Sequence, residues 1–544
     1  MKPHWKTSYT PGVDTEMPDL GHDSLVALFD RSVQRYAQRV ALVDGLRSIT
    51  YAQWAAWSKR FAVVLQSQLG VRAGDRVAMM CPNVLAYPIG MMGILRCGAT
   101  QVNVNPLYSV QELENQLRDA DVRVILAHRA SLQTLWQVLP HSNIEAVVIA
   151  DDDPLDGDAH AAIEPPTHAI RLLRFSQGIA ADAGAAFSAP VIDASDIAYL
   201  QYTGGTTGVS KGAMLTHANL LANIAQFRKF AAHAITEDGD VVFTAMPLYH
   251  IFALMVNTLS YLAVGGTNVL VPNPRDLDHM VSLLTRYPIT ALSGVNTLYV
   301  NLMSHPGLAQ VDFSKLRVSW GGGAPIPPAT SERWKRFTGQ HIKLGYGLSE
   351  TSPIVTLNPV HLTHYSDTVG VPLPGMDVCL MDDEGTEVPV GSPGEIWVRG
   401  PHVMRGYWRN PEATAQVLRE DGYLKTGDVG VFDAQGFLRI VDRKKDMVLV
   451  SGFNVYPAEV EAVVMAFPGV REAAVVAMHD DRTGEAVKLF YASLDNQPLD
   501  AQALLQHCRA HLAAYKVPRL IEHLLDLPKT TVGKVMRRAL KPSA

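Results

Sequence analysis

A loop of glycines, threonines and a single lysine constrains this chain more than any other stretch. The segment YTGGTTGVSKGAMLTH at 202–217 continues the apolar run IAYLQY at 197–202 and leads into ANLLANIAQF, which begins at Ala218. IAYLQY reads as a strand and ANLLANIAQF as a helix, so the expected order is strand, loop, helix. Open α/β sheets place their ligands at that point, beyond the carboxyl ends of the strands. Glycines let backbone N–H groups approach an anion, and hydroxyls and a lysine add donors, so the loop reads as a phosphate cradle. It is not a P-loop: counting from Gly205, Ser210 stands where the second glycine belongs, and Gly212 follows Lys211 where a hydroxyl is required.

The preceding residues repeat the same alternation. Leu25, Leu28, Phe29, Val33 and Tyr36 recur at helical spacing after Asp23, and Thr50 with Gln53 forms a capping-box pattern ahead of the stripe Trp54, Trp57, Phe61 and Leu65. Short apolar runs at 76–81, 100–105 and 122–127 read as strands, with helical patterns between them, one opening at Ser109 with Glu112. The fold class is therefore α/β, with doubly wound parallel sheets. A Gly/Ala/Asp-rich stretch at 178–195 reads as a surface linker. From about 368 the texture changes to Gly/Pro turns and short alternating strands, the hairpins of a small β-unit, and after 444 helix and strand alternate over about a hundred residues, enough for a small α+β domain. The expected division is 1–444, with sheets over about 20–367 and the β-unit over about 368–444, followed by 445–544.

Composition excludes several classes. With 47% hydrophobic and 18% charged residues the chain has the balance of a soluble globular protein, and a net charge of −6 gives no general field for nucleic acid. Cys81, Cys97, Cys379 and Cys508 lie far apart with no C-x-x-C pair, which argues against a zinc site or a disulfide framework and fits a reducing cytoplasm. The N-terminus has no apolar signal region. No Asp, Glu, Lys or Arg occurs between Asp240 and Arg275, but Pro247, His250, Asn257, Gly265 and Gly266 break that segment short of the roughly 20 apolar residues a membrane span requires. It reads as buried core or as an apolar ligand wall.

Five further motifs follow the glycine loop: SWGGGAP at 319–325, GYGLSET at 345–351, YLKTGD at 423–428, DRKKD at 442–446 and PKTTVGKVMRR at 528–538. In this order they resemble the adenylate-forming superfamily of acyl-CoA synthetases, luciferases and peptide-synthetase adenylation domains. PLYHIFAL from Pro247, GGTNVLVPNPRD from Gly265, GVNTLYVNL from Gly294 and SGFNVYP from Ser451 are similar to bacterial long-chain fatty acid–CoA ligases. The resemblance implies a two-step reaction: a carboxylate and Mg-ATP give acyl-AMP and pyrophosphate, and the CoA thiol then displaces AMP. A carboxylate is a poor electrophile because its leaving group would be oxide, and the mixed anhydride with AMP removes that obstacle. The chemistry calls for charge neutralised around a phosphoryl group.

The same resemblance assigns residues. Thr203, Gly204, Gly205, Thr206, Thr207, Gly208 and Lys211 order the ATP phosphates, Thr206 among the catalytic group. Gly321, Gly322, Gly323, Ala324 and Pro325 line the adenine, Tyr346 stacks on it beside Gly347, Ser349 lies near the α-phosphate, and Glu350 is the Mg²⁺ ligand. Asp428 accepts the ribose hydroxyls with Arg443 beside it, and Lys534 reaches the carboxylate and the α-phosphate. His250 lies near the carboxylate and the thiol path. Lys445 is the hinge of a mobile C-terminal domain, and Ser451, Gly452 and Phe453 line the pantetheine path. The expected partners are a fatty acid, ATP and CoA, with no nucleic acid and no carrier protein, since the chain ends shortly after Lys534. The expected location is cytoplasmic, with peripheral contact at the inner membrane face left open by the lipid-like substrate. Two alternatives stand beside the long-chain reading: a medium-chain or aryl acid–CoA ligase, and a non-catalytic nucleotide- or lipid-binding carrier or sensor.

Overall fold

The apolar runs at 76–81, 100–105 and 122–127 form the strands Arg76–Met80, Thr100–Asn103 and Val124–His128. The structure, a computed structural model, describes residues 4–541 except 46, 154–169, 181–186, 204–209, 452, 481 and 531–534. The three strands belong to a seven-stranded sheet in the order Arg171–Arg174, Ala146–Ala150, Val124–His128, Arg76–Met80, Thr100–Asn103, Ile197–Thr203, Lys211–Thr216. All neighbours are parallel except the last pair. Val77, Ala78, Val102, Ile125 and Val147 are fully buried, as strands covered on both faces require.

The helix starts follow the sequence signals. Ser24 caps Leu25–Tyr36, and both capping boxes are present: Thr50 with Gln53 opens Tyr51–Ser67, and Ser109 with Glu112 opens Val110–Ala120. Trp54, Phe61 and Leu65 are buried as expected, while Trp57 is only half-buried and Ser58 takes the inward position. The linker reading of 178–195 needs a correction. Gly178 lies inside a short helix, Phe175–Ala180, because Phe175 and Ile179 insert into the core and Gly178 packs close to Val64; residues 181–186 fall outside the described set.

A second, nine-stranded sheet runs in the order Val371–Pro372, Ile354–Leu357, Ile342–Gly347, Val318–Gly321, Ala291–Gly294, Val241–Thr244, Thr267–Leu270, Val40–Val43, Ser48–Thr50. Its central strands are parallel and its outer ones antiparallel. The charge-free segment after Asp240 supplies two of these strands and a buried helical stretch, Ile251–Ala253, Leu254–Leu259 and Ser260–Leu262, whose middle part is a π-helix. Among the described residues no helix is long and apolar enough to cross a membrane.

Two smaller sheets complete the chain. Asp377–Met381, Gly394–Arg399, Leu424–Phe432 and Leu438–Arg443 form a four-stranded sheet, the β-unit expected from about 368. Val448–Val450, Phe453–Val455, Val470–Asp480, Gly484–Ser493 and Leu520–His523 form a five-stranded sheet covered by the helices Pro457–Met465 and Ala501–His511. Near the C-terminus Arg537–Leu540 forms a single 3₁₀ turn. The chain divides into two compact units, one of Ser8–Asp377 and Arg399–Leu424, the other of Met1–Thr7, Val378–Val398 and Lys425–Ala544. The four-stranded sheet thus groups with the C-terminal region.

Candidate active site

The glycine loop does not pass directly into a helix. Lys211–Thr216 returns as a strand antiparallel to Ile197–Thr203, with Thr203 opposite Lys211 and Tyr202 opposite Gly212, and only then does Thr216 cap the helix His217–Phe230. The short connection allows an antiparallel pair, since a hairpin closes over a few residues whereas a crossover to a parallel strand needs a dozen or more. Ser210 closes the neck, its hydroxyl donating to the Thr203 carbonyl at 2.6 Å. Gly204, Gly205, Thr206, Thr207 and Gly208 lie outside the described residues.

Lys211 leaves the hairpin with its ammonium 5.2 Å from the centre of the Tyr407 ring. The Tyr407 hydroxyl donates to Oε1 of Glu350 at 2.8 Å, and the Met404 backbone N–H donates to the Glu350 carbonyl at 2.8 Å. Burial, and the Glu350 carboxylate next to it, push the Tyr407 phenol well above its ordinary range, so it stays a neutral donor. Tyr407 thus joins two predicted residues from distant motifs. It was not singled out in the sequence, where GYW carries no spacing signal.

The remaining candidates of this unit meet at neighbouring strand ends. Gly321 pairs with Leu344, which sets the segment after Gly321 beside Gly345, Tyr346 and Gly347. The contact is close: a side chain added at Gly322 would put its first carbon 3.3 Å from the Gly345 carbonyl and 3.7 Å from the Phe252 ring. Phe252 belongs to the turn of His250, whose Nδ1 accepts from the Phe252 N–H at 3.3 Å and caps Ile251–Ala253. Tyr346, Ser349, Glu350 and His250 are half-buried, and Gly347 is exposed. His250, Gly322, Gly323, Tyr346 and Glu350 therefore gather at the carboxyl ends of parallel strands, where open α/β sheets bind ligands.

In the other unit, Asp428 and Arg443 are direct antiparallel partners, and the Arg443 Nε lies 3.2 Å from Oδ1 of the buried Asp428. Lys445 is exposed two residues on. Ser451, at φ 52°, and the exposed Phe453 belong to the next hairpin, and the Phe453 ring stands 5.0 Å from Tyr515. Gly452 and Lys534 lie outside the described residues. A group the sequence did not announce surrounds Arg537, which bonds Glu461 at 2.7 Å and approaches Asp442 at 3.4 Å and Asp446 at 3.5 Å. Burial works against the Arg537 charge, but Glu461 and Asp442 outweigh it and hold the guanidinium protonated.

Residues 29–408 match the model of the AMP-binding enzyme family, and 459–534 match its C-terminal domain. The chain belongs to the AMP-binding enzyme family. It is 43% identical to a long-chain-fatty-acid–CoA ligase of Escherichia coli O6:H1, covering 100% of this chain and 99% of that protein. A long-chain-fatty-acid–CoA ligase of Yersinia pestis is 44% identical over 99% of this chain and 98% of its own. Among solved structures, ATP-bound MatB from Rhodopseudomonas palustris superimposes with a TM-score of 0.83 at 31% identity, covering 95% of this chain and 98% of that one.

A magnesium ion suits this site. Among the described residues there is no group of three or more His, Cys, Asp or Glu side chains that could hold a metal by themselves. Mg²⁺ that travels with ATP needs only one or two protein carboxylates, the other ligands being phosphate oxygens and waters. Glu350, fixed by Tyr407 and by its own backbone, has the right chemistry.

Proposed function

We propose that this enzyme is an AMP-forming acid–thiol ligase that activates a long-chain fatty acid with ATP and transfers the acyl group to CoA. The observation that carries the reading is the meeting of Lys211, Tyr407 and Glu350, with Glu350 in the turn that follows the strand Ile342–Gly347. That arrangement supports assigning Lys211 to phosphate, Glu350 to Mg²⁺ and the Tyr346 ring to adenine. The full-length identity to long-chain-fatty-acid–CoA ligases supports the substrate class.

In the first step a carboxylate oxygen of the acid attacks the α-phosphorus of ATP, and pyrophosphate leaves. Lys211 and the hydroxyl of Thr203 hold the departing phosphates, Tyr346 and the segment 321–325 hold the adenine, and Ser349 donates near the α-phosphate. Glu350 would hold Mg²⁺, which supplies charge neutralisation on the phosphate oxygens when bound. Asp428 accepts the ribose hydroxyls, with Arg443 setting its orientation. Lys534 offsets the charge that builds up as two anions meet, a role for which a compact ammonium suits better than a planar guanidinium.

In the second step the CoA sulfur attacks the acyl carbon and AMP leaves. We assign His250 to orienting the acyl carbonyl or gating the thiol path. Lys445 is the hinge about which residues 445–544 turn between the steps, withdrawing Lys534 and bringing Ser451, Gly452 and Phe453 to the pantetheine arm. The charge-free stretch after Asp240 forms the acyl wall, where each buried methylene contributes about 0.8 kcal/mol.

The test separates the steps. Lys534→Ala should abolish acyl-AMP formation, read as acid-dependent pyrophosphate release, and leave thioester formation from supplied acyl-AMP intact. Equal loss of both steps would contradict the assignment.

A further inference from the structure

The turn that carries His250 is held by buried amides. Asn83 donates through Nδ2 to the carbonyls of Thr244 at 3.0 Å and Met246 at 2.9 Å, and its Oδ1 accepts from the Leu248 N–H at 2.8 Å. The Tyr87 hydroxyl lies 2.9 Å from the Leu248 carbonyl and 2.8 Å from Oδ1 of Asn103. Gln201 donates through Nε2 to the Tyr249 carbonyl at 3.1 Å, and its Oε1 accepts from Asn103 at 2.8 Å. Asn83, Tyr87, Asn103 and Gln201 are each at most 4% exposed.

An apolar sheet interior gains nothing from four such groups unless their bonds serve a purpose, because an unsatisfied buried amide is costly. Here three of them converge on one backbone segment, residues 244–249, and close around the residue before His250. Gln201 also lies on the strand Ile197–Thr203, two residues before the neck of the phosphate hairpin. One side chain therefore spans from the strand that leads into the nucleotide loop to the turn that presents His250.

We propose that Gln201 is a positioning residue that fixes the His250 turn relative to the phosphate hairpin, with Asn103 orienting its amide and Asn83 and Tyr87 bracing the same turn. The proposal rests on the ligase reading for its kinetic consequence. Gln201 acts on the acid and thiol side of the reaction, through the backbone at Tyr249, and leaves the nucleotide contacts alone.

The test uses the full chain carrying Gln201→Met, which keeps length and apolar volume, and Gln201→Leu, which likewise removes both the donor and the acceptor. With acid-dependent pyrophosphate release as the assay, kcat/KM for the fatty acid falls on the order of tenfold to a hundredfold, as expected for a misplaced reacting group. KM for ATP stays within about twofold, because uniform binding of the nucleotide is unchanged. Tyr87→Phe shows the same pattern more weakly. Equal changes for ATP and acid, no change in either, or failure of both Gln201 variants to fold would overturn the proposal and leave Gln201 a core residue. An activity-independent reading accompanies the kinetics: the rate of His250 carbethoxylation, followed by peptide mass, changes in Gln201→Met while ATP affinity does not. If the unmodified enzyme releases no pyrophosphate with any acid, the ligase reading fails, and the modification rate still decides the positioning role: an altered rate supports it and an unaltered rate refutes it.

Discussion

The hydroxyl of Tyr407 donates to a carboxylate oxygen of Glu350 at 2.8 Å, and the same ring lies 5.2 Å from the Lys211 ammonium. A single phenol therefore orients the carboxylate we assign to Mg²⁺ and backs the lysine we assign to phosphate. Tyr407→Phe keeps the ring and removes the donor. Residues that orient metal ligands typically matter by about tenfold to a hundredfold in metal affinity. The Mg²⁺ concentration for half-maximal pyrophosphate release should rise by about tenfold, measured by titrating Mg²⁺ at saturating ATP and acid; an unchanged titration would sever the link.

Gly322 sits where a first side-chain carbon would meet the Gly345 carbonyl at 3.3 Å and the Phe252 ring at 3.7 Å. Gly322→Ala fits after a small shift, so the protein should fold, but the space between the strand ends and the His250 turn narrows. Activity on acids should fall by about tenfold, the scale of one methyl group in a shaped pocket, with melting temperature nearly unchanged. Steady-state rates with an acid series check this, and full activity would show that the bound substrates do not use the gap at Gly322.

His402 is fully buried, and neither ring nitrogen has a hydrogen-bond partner among the described residues. Burial lowers its pKa to about 3, and His217, whose Nδ1 accepts from the Leu25 N–H, is lowered by burial to about 4. Both are neutral when folded, while an unfolded histidine binds a proton below about 6.5. The unfolded state therefore gains protons first, and stability is lost as the pH falls from about 6.5 toward these lowered values. Between pH 7 and 5 each histidine should cost about 2 kcal/mol of stability. His402→Leu should shrink the drop in melting temperature over that interval, and an identical drop would mean that His402 is protonated in the folded protein.

Part of this architecture was legible in the sequence because its signals are local. Thr50 with Gln53 and Ser109 with Glu112 close their capping boxes within three residues, and the apolar runs at 76–81, 100–105 and 122–127 are strands wherever they pair. The hairpin strand Lys211–Thr216 was missed because its pairing with Ile197–Thr203 is antiparallel, and KGAMLT lacks a clean alternation. Phe175–Ala180 was missed because tertiary packing of Phe175 and Ile179 overrides the local turn composition. Tyr407 and Gln201 were invisible for a different reason: each acts on a residue dozens of positions away, and nothing in a neighbouring stretch marks the partner.

Arg537 compensates the buried Asp442 and the half-buried Glu461. Burial pushes Glu461 and Asp442 upward, and Arg537 pulls both back. Arg537→Ala leaves these carboxylates without their guanidinium, and partial exposure keeps the cost at or below the low end of the about 3–5 kcal/mol typical of breaking a fully buried pair. Amide hydrogen exchange in the strands Val470–Asp480 and Gly484–Ser493 should speed up by a hundredfold or so, with Arg537→Lys intermediate. Unaltered exchange would show that the cluster contributes nothing to that unit.

The most direct measurement is acid-dependent pyrophosphate release with Mg-ATP and CoA across straight-chain acids from acetate to oleate and a set of aromatic acids, with products identified by mass. The account predicts release that peaks between dodecanoate and oleate and yields the acyl-CoA. A peak among short or aromatic acids would contradict the long-chain assignment, and no release with any acid despite measurable ATP binding would contradict the ligase reading itself.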